Sequence, residues 1–324
     1  MKAIVYHRYG PPEVLEYAEI DNPTPLENEV QIRVRAASVN PYDWHFLRGK
    51  PSFIRLFTGL RSPKSPRLGA DVAGEVKAIG SKVTLFKVGD PIYGTGKGAF
   101  AEYVCASEND LALKPDSLSF EQAASIPIAG ITALQGLRDS GQLQPGQSVL
   151  INGAAGGVGT FAVQIAKSFG AQVTGVCSTR NLELVQSIGA DHLIDYTRHD
   201  FTQSGQQYDL LFDLVGNRPL SALRRAITPR GTYVGCGGGG PDRKSFDLLS
   251  DLFGRLLLAP FVGQRLTGVL AKIRHRDLNA IGDLVRLGKL TPVLDQNFAL
   301  CDTPKAIRYV EQCHARGKVT IAVA

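Results

Sequence analysis

The sequence predicts an α/β protein in which a doubly wound parallel sheet is joined to a second, β-rich domain. The chain has 324 residues, and because domains usually run ~100–200 residues, we expect two of them. Glycine and proline separate short strands over residues 1–120, whereas strands alternate with helices over 121–285. Residues 286–324 return to strand, helix and strand. We therefore expect this last stretch to rejoin the β-rich domain.

The composition is that of an ordinary globular protein. Hydrophobic residues make up 44% of the chain and charged residues 20%, which excludes a disordered chain. The 36 basic and 30 acidic residues give a formal net charge of +6. The basic residues are scattered, whereas nucleic-acid-binding proteins concentrate them on one face, so we expect no nucleic-acid partner. An anionic small ligand explains the positive balance equally well.

Strands of the first domain are predicted from polar and apolar residues that alternate with a period of two. Residues 29–36 show this alternation most clearly, as a half-buried strand must. Residues 2–6 and 71–76 predict two further strands, and residues 88–94 predict a turn that leads into another. Residues 50–67 hold several prolines and basic residues, which indicates an exposed loop.

Buried strands alternate with helices in the second domain. Apolar runs predict strands at 148–152, 172–177, 209–213 and 231–235. Helices are predicted at 158–169 and at 182–188, and the second of them is closed by Gly189. This alternation predicts a parallel sheet with helices on both faces.

A glycine-rich turn follows the strand that ends at Asn152. It contains Gly156, Gly157, Val158 and Gly159, and Gly157 begins a G-x-G-x-x-A pattern. Such a turn between a strand and a helix lets the backbone approach a pyrophosphate, while the helix N-terminus offers unpaired N–H groups. The pattern therefore predicts a dinucleotide site, and the alternative is a plain strand-to-helix turn.

The end of the next strand indicates which dinucleotide binds. NAD-binding proteins place Asp or Glu there to bond the ribose 2′-hydroxyl. This strand is followed by Ser178 and Arg180 and by no carboxylate. A hydroxyl and a guanidinium suit a 2′-phosphate, so we predict NADPH. In the alternative interpretation Arg180 is a solvated residue and Ser178 caps a helix.

The cysteines and histidines give no metal or disulfide pattern. The five cysteines are odd in number, none is spaced as Cys-x-x-Cys, and the six histidines include no His-Glu-x-x-His. The N-terminus is too polar for a signal sequence, and no stretch approaches ~18 apolar residues. We therefore expect a reducing, cytoplasmic location, no transmembrane span, and hydride transfer without a metal ion.

Several short motifs together resemble the medium-chain dehydrogenase/reductase superfamily, on its zinc-independent quinone oxidoreductase (zeta-crystallin-like) and enone reductase branch. The resemblance covers nearly the whole chain. Its motifs are Ala-Ser-Val-Asn-Pro at 37–41 with Asp43, Leu-Gly-Ala-Asp-Val-Ala-Gly at 68–74, Gly-Asp-Pro-Ile-Tyr-Gly at 89–94, Ala-Phe-Ala-Glu-Tyr-Val at 99–104, the glycines of 153–159, Gly-Ala-Asp at 189–191 with Ile-Asp-Tyr at 194–196, and Arg-Gly-Lys-Val at 316–319.

The resemblance implies a GroES-like catalytic domain built from both ends of the chain, with a Rossmann NADP-binding domain between. Zinc-dependent relatives have Gly-His-Glu where this chain has Gly69, Ala70 and Asp71. They also carry a four-cysteine lobe in a region that here holds only Cys105. The resemblance thus implies that both zinc sites are missing.

The resemblance also assigns candidate site residues. Asn40 matches an active-site Asn near the nicotinamide, and Thr132 matches a Thr near the cofactor ribose. The positions that hold the adenosine 2′-phosphate and the adenine are matched by Ser178, Arg180 and Tyr196. The positions where the nicotinamide half crosses the sheet are matched by Val215, Gly235 and Cys236.

Two places depart from the family pattern. His45 stands where many relatives have a Tyr or Lys linked to substrate contact, so it is either a proton donor or a solvated loop residue. Residues 246–265 are longer and more apolar than the usual segment, which fits a substrate lid, a subunit contact or a membrane-surface helix.

The expected function is NADPH-dependent hydride transfer to quinones or α,β-unsaturated carbonyls. Without zinc a simple carbonyl lacks electrophilic activation, so conjugated acceptors are favoured. A zinc-independent alcohol dehydrogenase and a non-catalytic NADPH-binding sensor or structural protein are the alternatives. The expected partner is a small molecule, and the chain is expected to be a homodimer or a monomer.

Overall fold

A computed structural model describes residues 1–236 and 262–324 of the chain. These residues form two compact units. The first unit comprises Met1–Ile131, Ile273–Arg286 and Pro292–Ala324, and the second comprises Thr132–Lys272 and Leu287–Thr291. The sequence predicts domain ends at residues 120 and 285. The first unit extends past residue 120 because the next helix, Phe120–Ala124, packs on the strands of its sheet.

Fifteen strands lie in the described part of the chain. They are β1 (Lys2–Val5), β2 (Glu16–Glu19), β3 (Glu29–Val39), β4 (Asp71–Ile79), β5 (Pro91–Thr95), β6 (Tyr103–Ser107), β7 (Leu111–Leu113), β8 (Ser148–Asn152), β9 (Gln172–Cys177), β10 (His192–Asp195), β11 (Tyr208–Asp213), β12 (Ile227–Gly235), β13 (Arg265–Gly268), β14 (Leu294–Ala299) and β15 (Lys318–Ala322).

Nine α-helices lie in the same described residues. They are α1 (Pro41–Arg48), α2 (Arg55–Thr58), α3 (Phe120–Ala124), α4 (Pro127–Gln135), α5 (Gly157–Ser168), α6 (Leu182–Ser187), α7 (Leu220–Arg225), α8 (His275–Arg286) and α9 (Thr303–Glu311). Among the described residues, none of the helices combines the length and the apolar character that crossing a bilayer requires.

The first unit is built on a seven-stranded sheet centred on β3. The strand order is β14-β15-β3-β4-β5-β7, and β6 also pairs with β3. On β3, Ser38 lies opposite Asp71 of β4, and Val39 lies opposite Val319 of β15. The next pair in that antiparallel register is Asn40 and Lys318. The register therefore brings polar residues from three strand ends together.

The second unit contains a six-stranded sheet in which every neighbouring pair is parallel. Its order is β10-β9-β8-β11-β12-β13. From β8 the chain runs to β9 and β10 on one side, and β11 to β13 lie on the other. The switch point is therefore between β8 and β11, where open α/β sheets bind their ligands. This architecture confirms the predicted fold class.

Local sequence explains why β8 is central and why α5 covers it. Val149, Leu150 and Ile151 of β8 are all fully buried, as in a strand covered on both faces. On α5, Phe161 and Ile165 lie one turn apart and are also fully buried. Most of the stretch 246–265, with its three possible roles, lies outside the described residues.

Candidate active site

Asn40 joins β3 to α1 and is held by contacts on both sides of its amide. It is 2% exposed. Its side-chain Nδ2 donates to the Asp71 Oδ2 at 2.8 Å, and its Oδ1 accepts from the Lys318 Nζ at 2.6 Å. The acidic partner and the basic partner fix which end of the amide carries the oxygen. Asn40 thus has one defined orientation within the first unit.

Asp71 accepts hydrogen bonds from Asn40 and from several other residues. It is fully buried, and its Oδ2 also accepts from the Ser38 hydroxyl at 2.8 Å. Its Oδ1 accepts from the Ile128 N–H at 3.0 Å, in the first turn of α4. A carboxylate at a helix N-terminus is stabilised by the helix dipole. The Asp71 charge is therefore distributed over several donors.

The buried Lys318 amine lies beside Asn40 and Asp71. Its Nζ lies 3.5 Å from the Asp71 Oδ2 and 3.3 Å from the Val39 carbonyl oxygen. Burial lowers the pKa of the Lys318 amine, while the neighbouring carboxyl groups act in the opposite direction. Because all three of its acceptors are internal, Lys318 acts on Asn40 and Asp71 rather than on solvent.

Asp43, in the first turn of α1, is hydrogen-bonded to Asn40 and to Gly69. Its carboxyl oxygens accept from the Asn40 N–H at 2.8 Å and from the Gly69 N–H at 3.2 Å. The side chain is fully buried, and burial raises the pKa of Asp43 to about 7. This carboxyl group consequently exchanges a proton near neutral pH. We name Asn40, Asp43, Asp71 and Lys318 the buried polar cluster.

His45 lies on α1 but outside the buried polar cluster. Its Nδ1 is 2.8 Å from the Lys50 carbonyl oxygen, and its ring stacks on Trp44 at 3.6 Å between centroids. Burial lowers the pKa of the His45 imidazole. An Nδ1–H that donates to the Lys50 carbonyl leaves Nε2 as the nitrogen that can take up or release a proton.

The glycine-rich turn after β8 has the shape that the sequence predicts. Gly153 has φ +91°, and a Cβ added to Gly159 would lie 2.1 Å from the Gly153 carbonyl oxygen. Only glycine fits at these two positions. No side chain caps α5, and the N–H groups of Gly157, Val158 and Gly159 have no partner within the described residues. The turn therefore presents free donors at the switch point, as an anion requires.

A second network fixes the neighbouring strand ends. Asp213, at the end of β11, is 1% exposed and accepts from the Asn152 Nδ2 at 2.9 Å. Its carboxyl group also accepts from the Val215 N–H at 3.1 Å and from the Tyr233 hydroxyl at 3.2 Å. The strands β8, β11 and β12 are thus joined at their carboxyl ends through one side chain.

Gly235 and Cys236 lie at this same edge. Gly235 ends β12 opposite Asp213, and the Cys236 N–H donates to the Asp213 carbonyl oxygen at 2.9 Å. Burial raises the pKa of the Cys236 thiol to about 12, so the thiol is neutral. The structure therefore brings Val215, Gly235 and Cys236 together around Asp213.

The candidate adenosine residues lie beyond the end of β9. Ser178 follows that strand, and Arg180 is exposed in the short 3-10 helix Thr179–Asn181. The Tyr196 N–H donates to the Cys177 carbonyl oxygen at 3.1 Å, and the Tyr196 side chain is 54% exposed. Ser178, Arg180 and Tyr196 thus belong to one end of the sheet.

A buried acceptor without a partner lies beside Ser178. The Asn181 Nδ2 donates to the Ser178 Oγ at 3.2 Å, whereas the buried Asn181 Oδ1 has no hydrogen-bond partner within the described residues. Buried polar atoms are rarely left unsatisfied. An adenosine group in this region would supply hydroxyl or amino donors, so this atom fits the predicted ligand.

A carboxylate does approach the end of β9, from the adjacent strand. Asp195 ends β10 opposite Cys177, and its Oδ1 accepts from the Thr197 N–H at 2.9 Å and from the Thr197 hydroxyl at 2.7 Å. The hydrogen bond from the Thr179 hydroxyl lowers the pKa of Asp195. Both Asp195 oxygens are therefore used by the protein itself.

The remaining site predictions can be located as well. Thr132 lies in α4, in the second unit, and its side chain makes no hydrogen bond within the described residues. All five cysteines lie within the described residues, and none of them forms a disulfide. In residues 1–236 and 262–324, no three His, Cys, Asp or Glu side chains are grouped as metal ligands would be.

Sequence reasoning missed Asp43, Asp213 and Lys318 as members of these networks. Asp213 had a local signal, since it directly follows the apolar run 210–212 at the end of a predicted strand. Lys318 had none beyond the family motif, because its partners lie far away along the chain.

Comparison with known proteins adds two family matches. Residues 26–116 match the alcohol dehydrogenase GroES-like domain, and residues 188–321 match the zinc-binding dehydrogenase family. A chloroplast envelope quinone oxidoreductase homolog from Arabidopsis thaliana is 31% identical over 335 residues, covering 99% of this chain and 98% of that protein.

Solved structures agree with these matches. The quinone oxidoreductase of Coxiella burnetii has a TM-score of 0.86 at 32% identity, covering 100% of this chain and 99% of that one. The Escherichia coli quinone oxidoreductase, solved in complex with NADPH, has a TM-score of 0.84 at 25% identity, covering 99% of this chain and all of that one.

Proposed function

Because the chain belongs to the quinone oxidoreductases of the medium-chain dehydrogenase/reductase superfamily, we propose that it transfers hydride from NADPH to quinones or α,β-unsaturated carbonyls without a metal ion. The observation that carries the proposal is the glycine-rich turn at the switch point, with free N–H donors on α5. A structural relative binds NADPH, which supports a nicotinamide cofactor here.

The second unit is proposed to hold the cofactor. The N–H groups of Gly157, Val158 and Gly159 would bind its pyrophosphate, and Gly156 would let the backbone approach closely. Toward the nicotinamide half we assign Thr132, Val215, Gly235 and Cys236. When bound, the cofactor supplies the hydride.

Ser178 and Arg180 are proposed to select NADPH over NADH. A 2′-phosphate is a dianion that a guanidinium binds well and a carboxylate repels. Asp195 opposes this choice less than an unpaired carboxylate would, because the Arg198 Nε lies 3.6 Å from its Oδ2 and offsets its charge. Its oxygens also accept hydrogen bonds from Thr179 and Thr197, so they are not left for a ribose 2′-hydroxyl. Tyr196 offers an exposed ring on which an adenine can stack.

The first unit is proposed to position and protonate the quinone or enone that accepts the hydride. Lys318 and Asp71 hold the Asn40 amide in one orientation, which leaves one lone pair of the Asn40 oxygen for a ligand donor. His45, on the helix that Asn40 precedes, supplies or relays the proton that follows hydride transfer, through Nε2. Proton donation of this kind is worth ~10²–10⁴ in rate.

Metal independence rests on the chemistry of the residues at the position where zinc-dependent relatives bind metal. Ala70 offers no ligand atom there, and the Asp71 oxygens accept from Ser38, Asn40 and Ile128. Conjugated carbonyl compounds are therefore the proposed substrates, since they need no Lewis acid to accept hydride. Cysteines that form no disulfide are consistent with the cytoplasm as the proposed compartment.

The test is NADPH oxidation by the purified chain with a panel of quinones, enones and simple ketones, with and without EDTA. We expect turnover with quinones or enones, none with saturated ketones, and no change on chelation. Turnover confined to alcohols and simple ketones would identify an alcohol dehydrogenase. Loss of activity in EDTA with recovery on adding zinc would contradict metal independence. Tight NADPH binding without turnover on any acceptor would contradict the catalytic proposal.

A further inference from the structure

The short helical segment after α1 presents its apolar side to solvent. Residues 52–54 form a 3-10 turn that continues into α2. Phe53, Leu56, Phe57 and Leu60 are exposed to 40%, 65%, 78% and 68%. Phe53, Leu56 and Phe57 are spaced by three and four residues within the helical stretch 52–58, as on one helix face. Leu60 lies beyond the end of α2 and extends the exposed apolar surface. A surface helix ordinarily buries its apolar face, whereas this segment exposes its apolar side chains to solvent.

Two polar side chains of the segment, Arg55 and Thr58, are partly buried and contact the rest of the protein. The Arg55 Nε donates to the Gly49 carbonyl oxygen at 3.1 Å, and its guanidinium lies 4.7 Å from the centre of the Tyr9 ring. The Tyr9 hydroxyl lies 2.7 Å from the Thr58 Oγ1 and donates to the Gly59 carbonyl oxygen. These contacts fix the segment with its apolar face outward.

The same part of the chain is strongly basic. Residues 44–70 contain six basic residues and no Asp or Glu. Lys50, Arg61 and Lys64 are exposed, and none of them forms an ion pair within the described residues. Exposed apolar side chains thus lie among cations whose charge is not neutralised. The outward patch consists of Lys50, Phe53, Leu56, Phe57, Leu60, Arg61 and Lys64.

We propose that the outward patch docks on the surface of an anionic lipid bilayer. Phe53, Leu56, Phe57 and Leu60 enter the boundary between headgroups and acyl chains, and the cations contact lipid phosphates. An apolar face with basic residues at its edge is what interfacial segments use, and each Lys or Arg near an anionic surface adds about fivefold to binding. The proposal concerns a binding surface and does not depend on the proposed reaction.

A bilayer fits this surface better than a second copy of the chain. A symmetric contact would place identical patches together, and each brings three unpaired cations with no carboxylate to meet them. Stable protein interfaces also use ~20–30 residues a side, far more than the four apolar side chains present here. A lipid surface requires no matching shape, and it supplies both hydrocarbon and negative charge.

The test is cosedimentation of the full chain with vesicles of phosphatidylcholine alone and of phosphatidylcholine mixed with phosphatidylserine. We expect binding to the anionic vesicles that falls with added salt, and little binding to the neutral ones. The triple variants Leu56→Ser/Phe57→Ser/Leu60→Ser and Lys50→Gln/Arg61→Gln/Lys64→Gln should each lower the partition coefficient at least ~10-fold.

Matched controls come from exposed residues elsewhere. Leu26, Leu270 and Leu287 are 66%, 86% and 67% exposed, so their triple change to Ser removes similar apolar surface. The change of Lys77, Lys87 and Lys289 to Gln removes the same charge from exposed positions. Both control variants should bind vesicles like the parent chain. Circular dichroism and urea midpoints check that every variant folds, independently of turnover.

Three results would overturn the proposal. One is equal vesicle binding by the patch variants and their controls. Another is no binding of the parent chain to anionic vesicles at low salt. The third is sedimentation equilibrium in which the parent chain self-associates, the Leu56→Ser/Phe57→Ser/Leu60→Ser variant is monomeric, and neither binds vesicles; this result would assign the patch to a second copy.

Discussion

The Lys318 ammonium group donates to the Asn40 side-chain oxygen at 2.6 Å, across 278 positions of the chain. The last strand of the described structure therefore orients the first candidate catalytic residue. Asp71 completes the arrangement from β4, since it accepts from the Asn40 amide nitrogen. Each of these contacts yields a measurable expectation.

Replacing Lys318 with Met should destabilise the protein strongly. The change leaves the fully buried Asp71 carboxylate without its cation, and breaking a buried pair from one side costs about 3–5 kcal/mol of unfolding free energy. Urea unfolding at neutral pH measures this. Lys318→Met/Asp71→Asn should recover part of the loss. Lys167→Met, at the partly exposed pair with Asp191, should cost less than about 1 kcal/mol. Similar losses at Lys318 and Lys167 would contradict the expectation.

Asn40→Ala should lower kcat on every acceptor by about 100-fold, because the positioning of the ligand is lost in all cases. Steady-state kinetics with one quinone and one enone measure it. Ser38→Ala is the control, since it removes a different hydrogen bond to the same Asp71 oxygen. It should lower stability while leaving kcat close to that of the parent. Equal kinetic effects of the two changes would place Asn40 in a structural role only.

Arg180→Ala should weaken NADPH binding by about 1.5–3 kcal/mol, the value of a charge-assisted hydrogen bond, and leave NADH binding unchanged. Fluorescence titration gives both dissociation constants. Arg230 is exposed on β12, five residues before its carboxyl end, so Arg230→Ala controls for the loss of one positive charge. A preference of the parent chain for NADH, or equal weakening of both cofactors, would refute the assignment.

His45→Phe should slow enone reduction by about 100-fold and quinone reduction much less. The enolate needs a proton donor, and general acid help reaches this size, whereas a reduced quinone can take its second proton from water. His45→Gln can still donate to the Lys50 carbonyl but cannot titrate, so it should behave like His45→Phe. Enone rates over about pH 5 to 8 measure this. Rates equal to those of the parent throughout would assign the donor to solvent.

Asp43 should make stability fall as pH rises toward neutrality. Its pKa of about 7 in the folded chain exceeds the usual ~3.9 of an unfolded Asp, so between these values the folded state keeps a proton that the unfolded state has released. The unfolding free energy should then drop by up to ~1.4 kcal/mol per pH unit. Asp43→Asn should flatten this dependence, and Asp116→Asn, at an exposed position, should not. Parallel curves for parent and Asp43→Asn would contradict it.

Local patterns were enough to predict four of the six strands of the parallel sheet, β8, β9, β11 and β12, and the helix α5. The buried run of β8, the glycines at 153–159 and the apolar stripe of α5 lie within about 20 residues, so their signals are contiguous in sequence. The structure places the free donors of α5 where this pattern predicts them. Short-range signals therefore predicted the strand, turn and helix described here, while the dinucleotide site itself stays a prediction.

Contacts between residues that lie far apart in the chain could not be predicted from local sequence patterns. Lys318 meets Asn40 only because β15 pairs with β3 in one register, and a shift of one residue would turn Lys318 away. Asp195 reaches the end of β9 through the neighbouring strand for the same reason. Residues 50–67 were expected to be an exposed loop, whereas residues 52–58 are helical, and their outward apolar face depends on the Tyr9 contacts.

The pairing of β15 with β3 forms late during synthesis, because β15 is made long after β3. A ribosome makes Asn40 278 positions before it makes Lys318, the residue of β15 that donates to the Asn40 side chain. The parallel sheet is complete by Gly268, so all of its strands are available while the first sheet still lacks β14 and β15. Asn40 therefore lacks its lysine partner until β15 has been made, and during that time the edge of β3 that β15 will cover stays open to other strands and to chaperones.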